Sequence, residues 1–175
     1  MMHYMSFQRK KKWDKKEDQT GMECFLCRQF SYPEFEQEVT INHAKTVQEM
    51  EGWEKASGTL RYETIVKMPV NGKTVLEIEN AYETVEVFVN GRSAGVRLSK
   101  PYRFDLSEFL EDGKNKLAIE VTNTLGTTIR DAISHYLPIE PFGIDGEIVL
   151  YQKQEEKNEF SKRIFMGRSD RSQSV

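Results

Sequence analysis

Two thiols three residues apart, in Glu23-Cys24-Phe25-Leu26-Cys27-Arg28, are the first side chains here with an obvious chemistry. A CxxC pair can form half of a zinc site or act as a redox couple. Structural zinc takes four ligands, and the other soft ligands are His3, His43 and His135, none at finger-like spacing. Redox pairs of this kind sit where a strand meets a helix in a thioredoxin-like pattern, which the flanking residues lack. The pair therefore reads as two thiols without a metal. Two cysteines define no disulfide framework, so the redox compartment stays open.

Asp131, Ser134 and His135 supply the residue types of a hydrolytic triad. No nucleophile elbow accompanies them, and neighbours on one short segment do not easily reach triad geometry. His135 reads better as a structural histidine. The GKNK and NGK runs lack the spacing and following helix of a phosphate-cradling loop. Arg9, Lys10, Lys11, Lys12, Lys15 and Lys16 surround Trp13, a pattern that could hold nucleic acid by charge and stacking. Asp14, Glu17 and Asp18 interrupt it, so a solvated, disordered leader is the preferred reading.

Stepwise alternation identifies the elements that must position any site. Tyr62, Thr64, Val66 and Met68 point one way, and Arg61, Glu63 and Lys67 the other. The same period of two returns at Leu76/Ile78, Val85/Val87/Val89 and Leu117/Ile119/Val121, predicting a sheet greasy on one face and wet on the other. Asn71-Gly72 and Asn90-Gly91 punctuate these strands, the second suiting a hairpin of the primed type. Pro101 opens the strand PYRFDL, and Asp105 or Ser107 could cap one helical turn at Glu108 to Leu110. Phe35, Val39 and Ile41 suggest one or two lead-in strands. Closely spaced strands without a long helix predict an all-β, antiparallel jelly-roll β-sandwich.

Five pieces then occur in order: SGTLRY, VFVNGRSAGV, PYRFDLSEFL, GKNKLAIEVTNTL and FGIDGEIVLY. Together they resemble the sugar-binding-like jelly-roll domain of glycoside hydrolase family 2, the beta-galactosidase and beta-glucuronidase group, whose fold is galactose-binding-domain-like. They are also similar to the jelly roll that closes many bacterial alpha-L-rhamnosidase-like proteins. The resemblance runs from about Trp53 to Tyr151. In family 2 the catalytic acid lies in a barrel domain and follows an asparagine. Here the one Asn-Glu is Asn158-Glu159, in a polar stretch, and 175 residues cannot hold a barrel of ~250 besides a sandwich.

The resemblance implies a non-catalytic carbohydrate-binding or accessory module of a glycoside hydrolase, whose partner is a carbohydrate or a catalytic domain. The alternative is a structural brace that packs on such a domain without touching sugar. Candidate sugar contacts, chosen at strand ends and on the long crossing connection, are Trp53, Tyr82, Asn123, Arg130, His135 and Tyr136; a buried plug is the more ordinary role for Trp53. Expected divisions are a basic leader over 1–33, the sandwich over 34–151 and a polar tail over 152–175. Phe160, Ile164 and Phe165 could make one face of a short helix in that tail. From Trp53 to Tyr151 there are 11 basic and 15 acidic side chains, which argues against a nucleic-acid partner. No cofactor is expected. Calcium stabilises some sandwiches of this shape, but no compact Asp/Asn cluster calls for it. The leader carries no apolar run long enough for a secretory signal or membrane helix, so the chain as it stands is expected in the cytoplasm.

Overall fold

The computed structural model describes residues 21–28, 31–35, 37–53, 56–69, 72–124, 141–153 and 164–165. Twelve strands follow one another: β1 (Met22–Arg28), β2 (Gln37–Ile41), β3 (Gly58–Met68), β4 (Lys73–Ile78), β5 (Ala81–Tyr82), β6 (Thr84–Val89), β7 (Arg92–Arg97), β8 (Tyr102–Asp105), β9 (Gly113–Thr122), β10 (Gly143–Ile144), β11 (Ile148–Lys153) and β12 (Ile164–Phe165). Among the described residues, a 3₁₀ turn, Val47–Glu49, lies between β2 and β3.

All pairings are antiparallel. One sheet has the order β2-β1-β3-β9-β6-β7, a second β12-β11-β4-β8, and the short pair β10-β5 forms a third, its Ala81 and Ile144 packed into the shared core. The inward residues of both larger sheets form one apolar cluster: Leu60 and Tyr62 of β3, Val85 and Val87 of β6 and Ile119 of β9 meet Leu76, Phe104 and Ile148. The result is a two-layer β-sandwich, as the alternation predicts. β3 and β9 form its spine, paired in register from Thr59↔Thr122 to Met68↔Gly113.

The β6–β7 hairpin turns on Asn90 (φ 52°) and Gly91 (φ 79°), two successive positive-φ residues as a primed turn requires. Glycine at the first position could take the same φ but would lack the side-chain amide that Asn90 brings. The Asn90 amide accepts from the Lys116 backbone N–H at 2.9 Å and donates to Asn115 Oδ1 at 2.9 Å. The turn is thereby stitched to β9. Fully buried Asn115 in turn accepts from the Glu111 N–H and donates to its carbonyl, both at 2.7 Å. Beyond β8, Asp105 accepts from the Ser107 N–H at 3.1 Å, and the Leu106 carbonyl accepts from the N–H groups of Phe109 at 3.0 Å and Leu110 at 3.3 Å, a single helical turn capped as the sequence suggests.

Edge strand β7 is guarded. Its register with β6 shifts between Val87 and Phe88; the Gly95 N–H is met by Ser93 Oγ at 3.3 Å, and Arg97 Nη1 donates to the Val96 carbonyl at 2.9 Å. Bulges, charge and side-chain caps of this kind blunt an edge. Arg97 also lies 5.3 Å from the centre of the Phe104 ring, closing the side of the sandwich between β7 and β8.

Two boundaries differ from the sequence expectation. The 1–33 leader ends earlier, because Met22–Arg28 is a full strand between β2 and β3. Alternation there is masked by burial on both sides: Met22, Cys24 and Leu26 face the core, while Cys27 on the opposite face is only 1% exposed. Within the expected tail, β11 runs to Lys153, and Ile164–Phe165 pair as a strand with Leu150 and Val149 rather than forming a helix turn. Residues 1–20, 154–163 and 166–175 lie outside the described residues.

Candidate functional site

One end of the sandwich is organised by Tyr62 of β3. Its hydroxyl donates to the Lys45 carbonyl at 2.8 Å and accepts from the Ile144 N–H at 3.2 Å, joining β3, the segment before the 3₁₀ turn, and β10. Burial, with Cys24 beside it, holds this phenol well above its ordinary pKa. Gly143, at φ 117°, passes close to the hydroxyl; a Cβ there would overlap it and lie 3.1 Å from Leu60 Cδ1. Gly143 bridges to Thr46 and pairs with Tyr82. The Val47 N–H donates to the Phe142 carbonyl at 2.8 Å.

Tyr82 therefore stands where the chain returns after residues 125–140. It is half-buried, and its hydroxyl accepts from Asn80 Nδ2 at 2.7 Å. Thr124 Oγ1 lies 3.5 Å from Glu83 Oε1 beside it. Below, Tyr102 donates to the carbonyls of Ala81 (3.0 Å) and Glu83 (3.2 Å), its phenol pushed up by burial and then by Tyr82 and Glu83. Phenol, amide, hydroxyl and carboxylate groups in this arrangement are suited to hydrogen-bonding a polyhydroxylated molecule.

Other candidates are placed differently. Trp53 is 6% exposed and belongs to the core cluster, so it offers solvent no ring face. Asn123, 8% exposed, accepts from the Gly58 N–H at 2.9 Å through Oδ1, while its own N–H donates to the Gly58 carbonyl at 3.1 Å. It latches the end of β9 to the start of β3. Arg130, His135 and Tyr136, with Asp131 and Ser134, lie outside the described residues. Only Tyr82 of the six is thus a described, partly accessible side chain at this end.

The outer face of the six-stranded sheet holds a second constellation that the alternation concealed. Strand charges there read as solvated, yet Glu120 is 3% exposed. Arg61 binds it through Nε at 2.7 Å and again through Nη2, and the Tyr32 hydroxyl donates to its other oxygen at 3.2 Å. The Arg61 guanidinium lies 4.5 Å from the centre of the Phe35 ring and 5.8 Å from that of Phe88. Residues 31–35, between β1 and β2, thus fold back over the sheet and desolvate an ion pair that carries additional hydrogen bonds. Lys116 and Arg61 flank Glu63 at 2.7 and 3.8 Å. Contact between Tyr32 and Glu120 spans 88 residues, which no local pattern encodes.

The CxxC pair is split by the strand that carries it. Residues three apart on a strand point to opposite faces, so Cys24 enters the core while Cys27 faces the other way. Both are buried and no disulfide joins them, and burial pushes the Cys24 thiol up to about 12. Among the described residues no group of three or more His, Cys, Asp or Glu side chains could hold a metal ion. No helix among them is long and apolar enough to cross a membrane.

Comparison with known proteins gives the same architecture. No family model matches the chain. A curated protein from Formosa agariphila named "Putative beta-glucuronidase" is 30% identical over 97 residues, 49% of this chain and 8% of that protein. The rhamnosidase structure from Novosphingobium sp. PP1Y superposes with a TM-score of 0.61 at 18% identity, covering 83% of this chain and 16% of the rhamnosidase. A GH2 beta-galacturonidase from Eisenbergiella tayi, bound to glycerol, gives 0.56 at 15% identity over 74% of this chain and 22% of the enzyme. The sequence likeness is thus to part of a protein named a beta-glucuronidase, and the fold is shared with parts of a rhamnosidase and of a GH2 beta-galacturonidase. The chain spans about a twelfth of the curated relative's length.

Proposed function

We propose that this chain is a non-catalytic accessory jelly roll of a glycoside hydrolase, bracing a catalytic domain rather than receiving sugar. The observation that carries the reading is what the fold does with Trp53 and Asn123. Both are side chains a sugar site would use, and both are consumed by packing and by the β3–β9 latch. Support comes from the comparisons, in which the sandwich corresponds to 16% and 22% of much longer hydrolases. The remainder of such an enzyme is where a catalytic centre would lie.

Calorimetric titration of the chain with galactosides, glucuronides, galacturonides and rhamnosides tests this. The brace predicts no saturable heat from a folded sample. Saturable heat with one sugar class would overturn it and favour a second reading, for which one observation speaks. Tyr82 pairs with Gly143 beside the 125–140 connection, so Tyr82 could share a sugar site with Arg130, His135 and Tyr136. Loss of that heat in Tyr82→Ala would place the site there.

A further inference from the structure

We propose that the outer face of the six-stranded sheet is a self-complementary docking surface on which a second copy of this chain sits, forming a twofold dimer. Among the described residues, the exposed large apolar side chains gather on this side. Ile65 shares the parity of Arg61 and Glu63, Val96 is opposite outward-facing Glu86, and Tyr32 lies over Glu120. Leu98, 76% exposed, stands just past the end of β7, while Val39, opposite Cys24, is the exception on the inner side. Exposed apolar groups collected on one face mark an interaction site, whereas singly scattered ones do not. Near Ile65 the face sinks into an open depression of about 410 Å³, large enough for a leucine side chain and lined by Gly21, Glu23, Glu63, Thr64, Ile65 and Lys116. The inference does not depend on the glycoside hydrolase reading.

Charge identifies the occupant. From Gly91 to Arg103 the chain carries four basic residues and no acidic one. Arg103 is paired with Glu77, but Arg92, Arg97 and Lys100 make no ion pair among the described residues. Glu86, beside Val96, is already bonded to Ser93 Oγ at 2.6 Å. On the β2–β1 side, Glu23 is directly opposite Glu63 and Glu38 is opposite Phe25. Like charges directly opposite destabilise a sheet. Lys116 and Arg61 match Glu63, which leaves Glu23 and Glu38 exposed with no ion pair among the described residues. One side of the face is thus acidic and the other basic. A second copy laid on it in reverse order meets each side with its complement.

The sheet's register makes this exchange reciprocal. β7 lies three strand spacings from β3, about 14 Å. The ladder Arg97–Val85–Val121–Leu60 sets Leu98 about five residues, or roughly 17 Å, along the strands from Ile65. A twofold axis lying in the face, midway between Leu98 and the depression, carries Leu98 of each copy to the depression of the other, as in an isologous interface. The same axis brings Arg97 and Lys100 toward Glu23. Tyr32, held over Glu120 on β9, stands near that axis, at the interface centre where aromatic side chains are enriched. Five strand spacings across and seven residues along β1 make the face about 24 by 23 Å, or roughly 550 Å² from each copy. The total of ~1,100 Å² just clears the size of a specific interface and belongs to the weak, reversible class.

The test is sedimentation velocity of the full chain from about 1 µM to about 1 mM, at low salt and in about 0.5 M salt, where charges are screened beyond about 5 Å. The expected result is a monomer–dimer equilibrium with a dissociation constant between about 10 µM and about 1 mM at low salt, weakened at least about threefold by the added salt. Leu98→Asp and Glu23→Lys should each raise that constant at least about tenfold, with circular dichroism confirming the fold. Glu23→Lys combined with Lys100→Glu should restore it to within about threefold of the wild type, because the reversed charges again face one another across the axis. A chain that stays monomeric throughout would overturn the proposal and leave the face to a different protein. A dimer that neither single variant weakens would overturn it too. Failure of the reversed pair to recover would refute the meeting of the two sides, and assemblies that keep growing beyond the dimer would refute the twofold form.

Discussion

Gly143 is the narrowest point in the end of the sandwich, and replacing it with alanine tests how that end is assembled. The new Cβ would occupy the place of the Tyr62 hydroxyl and crowd Leu60 and the Lys45 carbonyl. Two costs arise. A non-glycine residue at φ 117° is strained by about 1–3 kcal/mol. Displacing the hydroxyl leaves the Lys45 carbonyl and the Ile144 N–H without their partner, about 1–3 kcal/mol more. Gly143→Ala should therefore lose about 2–6 kcal/mol, and Tyr62→Phe alone about 1–3 kcal/mol. In the double variant the hydroxyl is already gone, so its loss is counted once. The double variant should be more stable than the sum of the singles predicts by about 1–3 kcal/mol. Urea unfolding at matched slopes measures all three. Strict additivity would refute the close approach of Gly143 to Tyr62, and a single Gly143→Ala cost under about 0.5 kcal/mol would refute the strain as well.

Three further outcomes follow from residues already placed. Asn123→Ala should cost about 1–3 kcal/mol by orphaning the buried Gly58 N–H, lowering Tm by roughly 2–12 °C; wild-type stability would contradict its role as a latch. The Cys24 thiol titrates at about 12 in the fold and near 8.5 when unfolded, so the folded state retains a proton that the unfolded state loses. Its contribution is complete below about pH 8.5 and falls as pH rises toward 12, by up to ~1.4 kcal/mol per pH unit; Cys24→Ala should flatten that slope in alkaline urea titrations. Glu120→Ala should cost about 2–4 kcal/mol, because Arg61 and the Tyr32 hydroxyl lose a nearly fully buried acceptor. Hydrogen exchange should also rise at residues 31–35, and unchanged exchange there would dissociate that segment from Glu120.

The sandwich was legible wherever one strand face is buried and the other wet. β4, β6 and β8 alternate in burial along their length, β3 does so over most of its second half, and Asn90-Gly91 marks its own turn. β1 was not legible because residues 31–35 cover the sheet's outer side and erase the polar half of the pattern around Phe25 and Cys27. Glu120 was misplaced for the same reason: parity puts it outside, and only a contact from the other end of the sheet makes it buried. Among site candidates, the sequence cannot distinguish an asparagine that binds ligand from one that closes a strand end, since both need the same amide. Asn123 resolves to the latter once its Gly58 partner is known.

The order of the six-stranded sheet also sets when its parts can come together. β9 inserts between β3 and β6, so the two flanking strands have no shared edge until residues 113–122 exist. In the other sheet β4 gains its β11 neighbour only when residues 148–153 have been made. The β1–β2 and β6–β7 hairpins are local pairings available early, whereas the longest ladder joins residues more than forty positions apart. Such non-local closure places the main search before most of the stabilising contacts and slows folding relative to local topologies. On a ribosome, the two layers would therefore remain incomplete until nearly the whole sandwich had emerged.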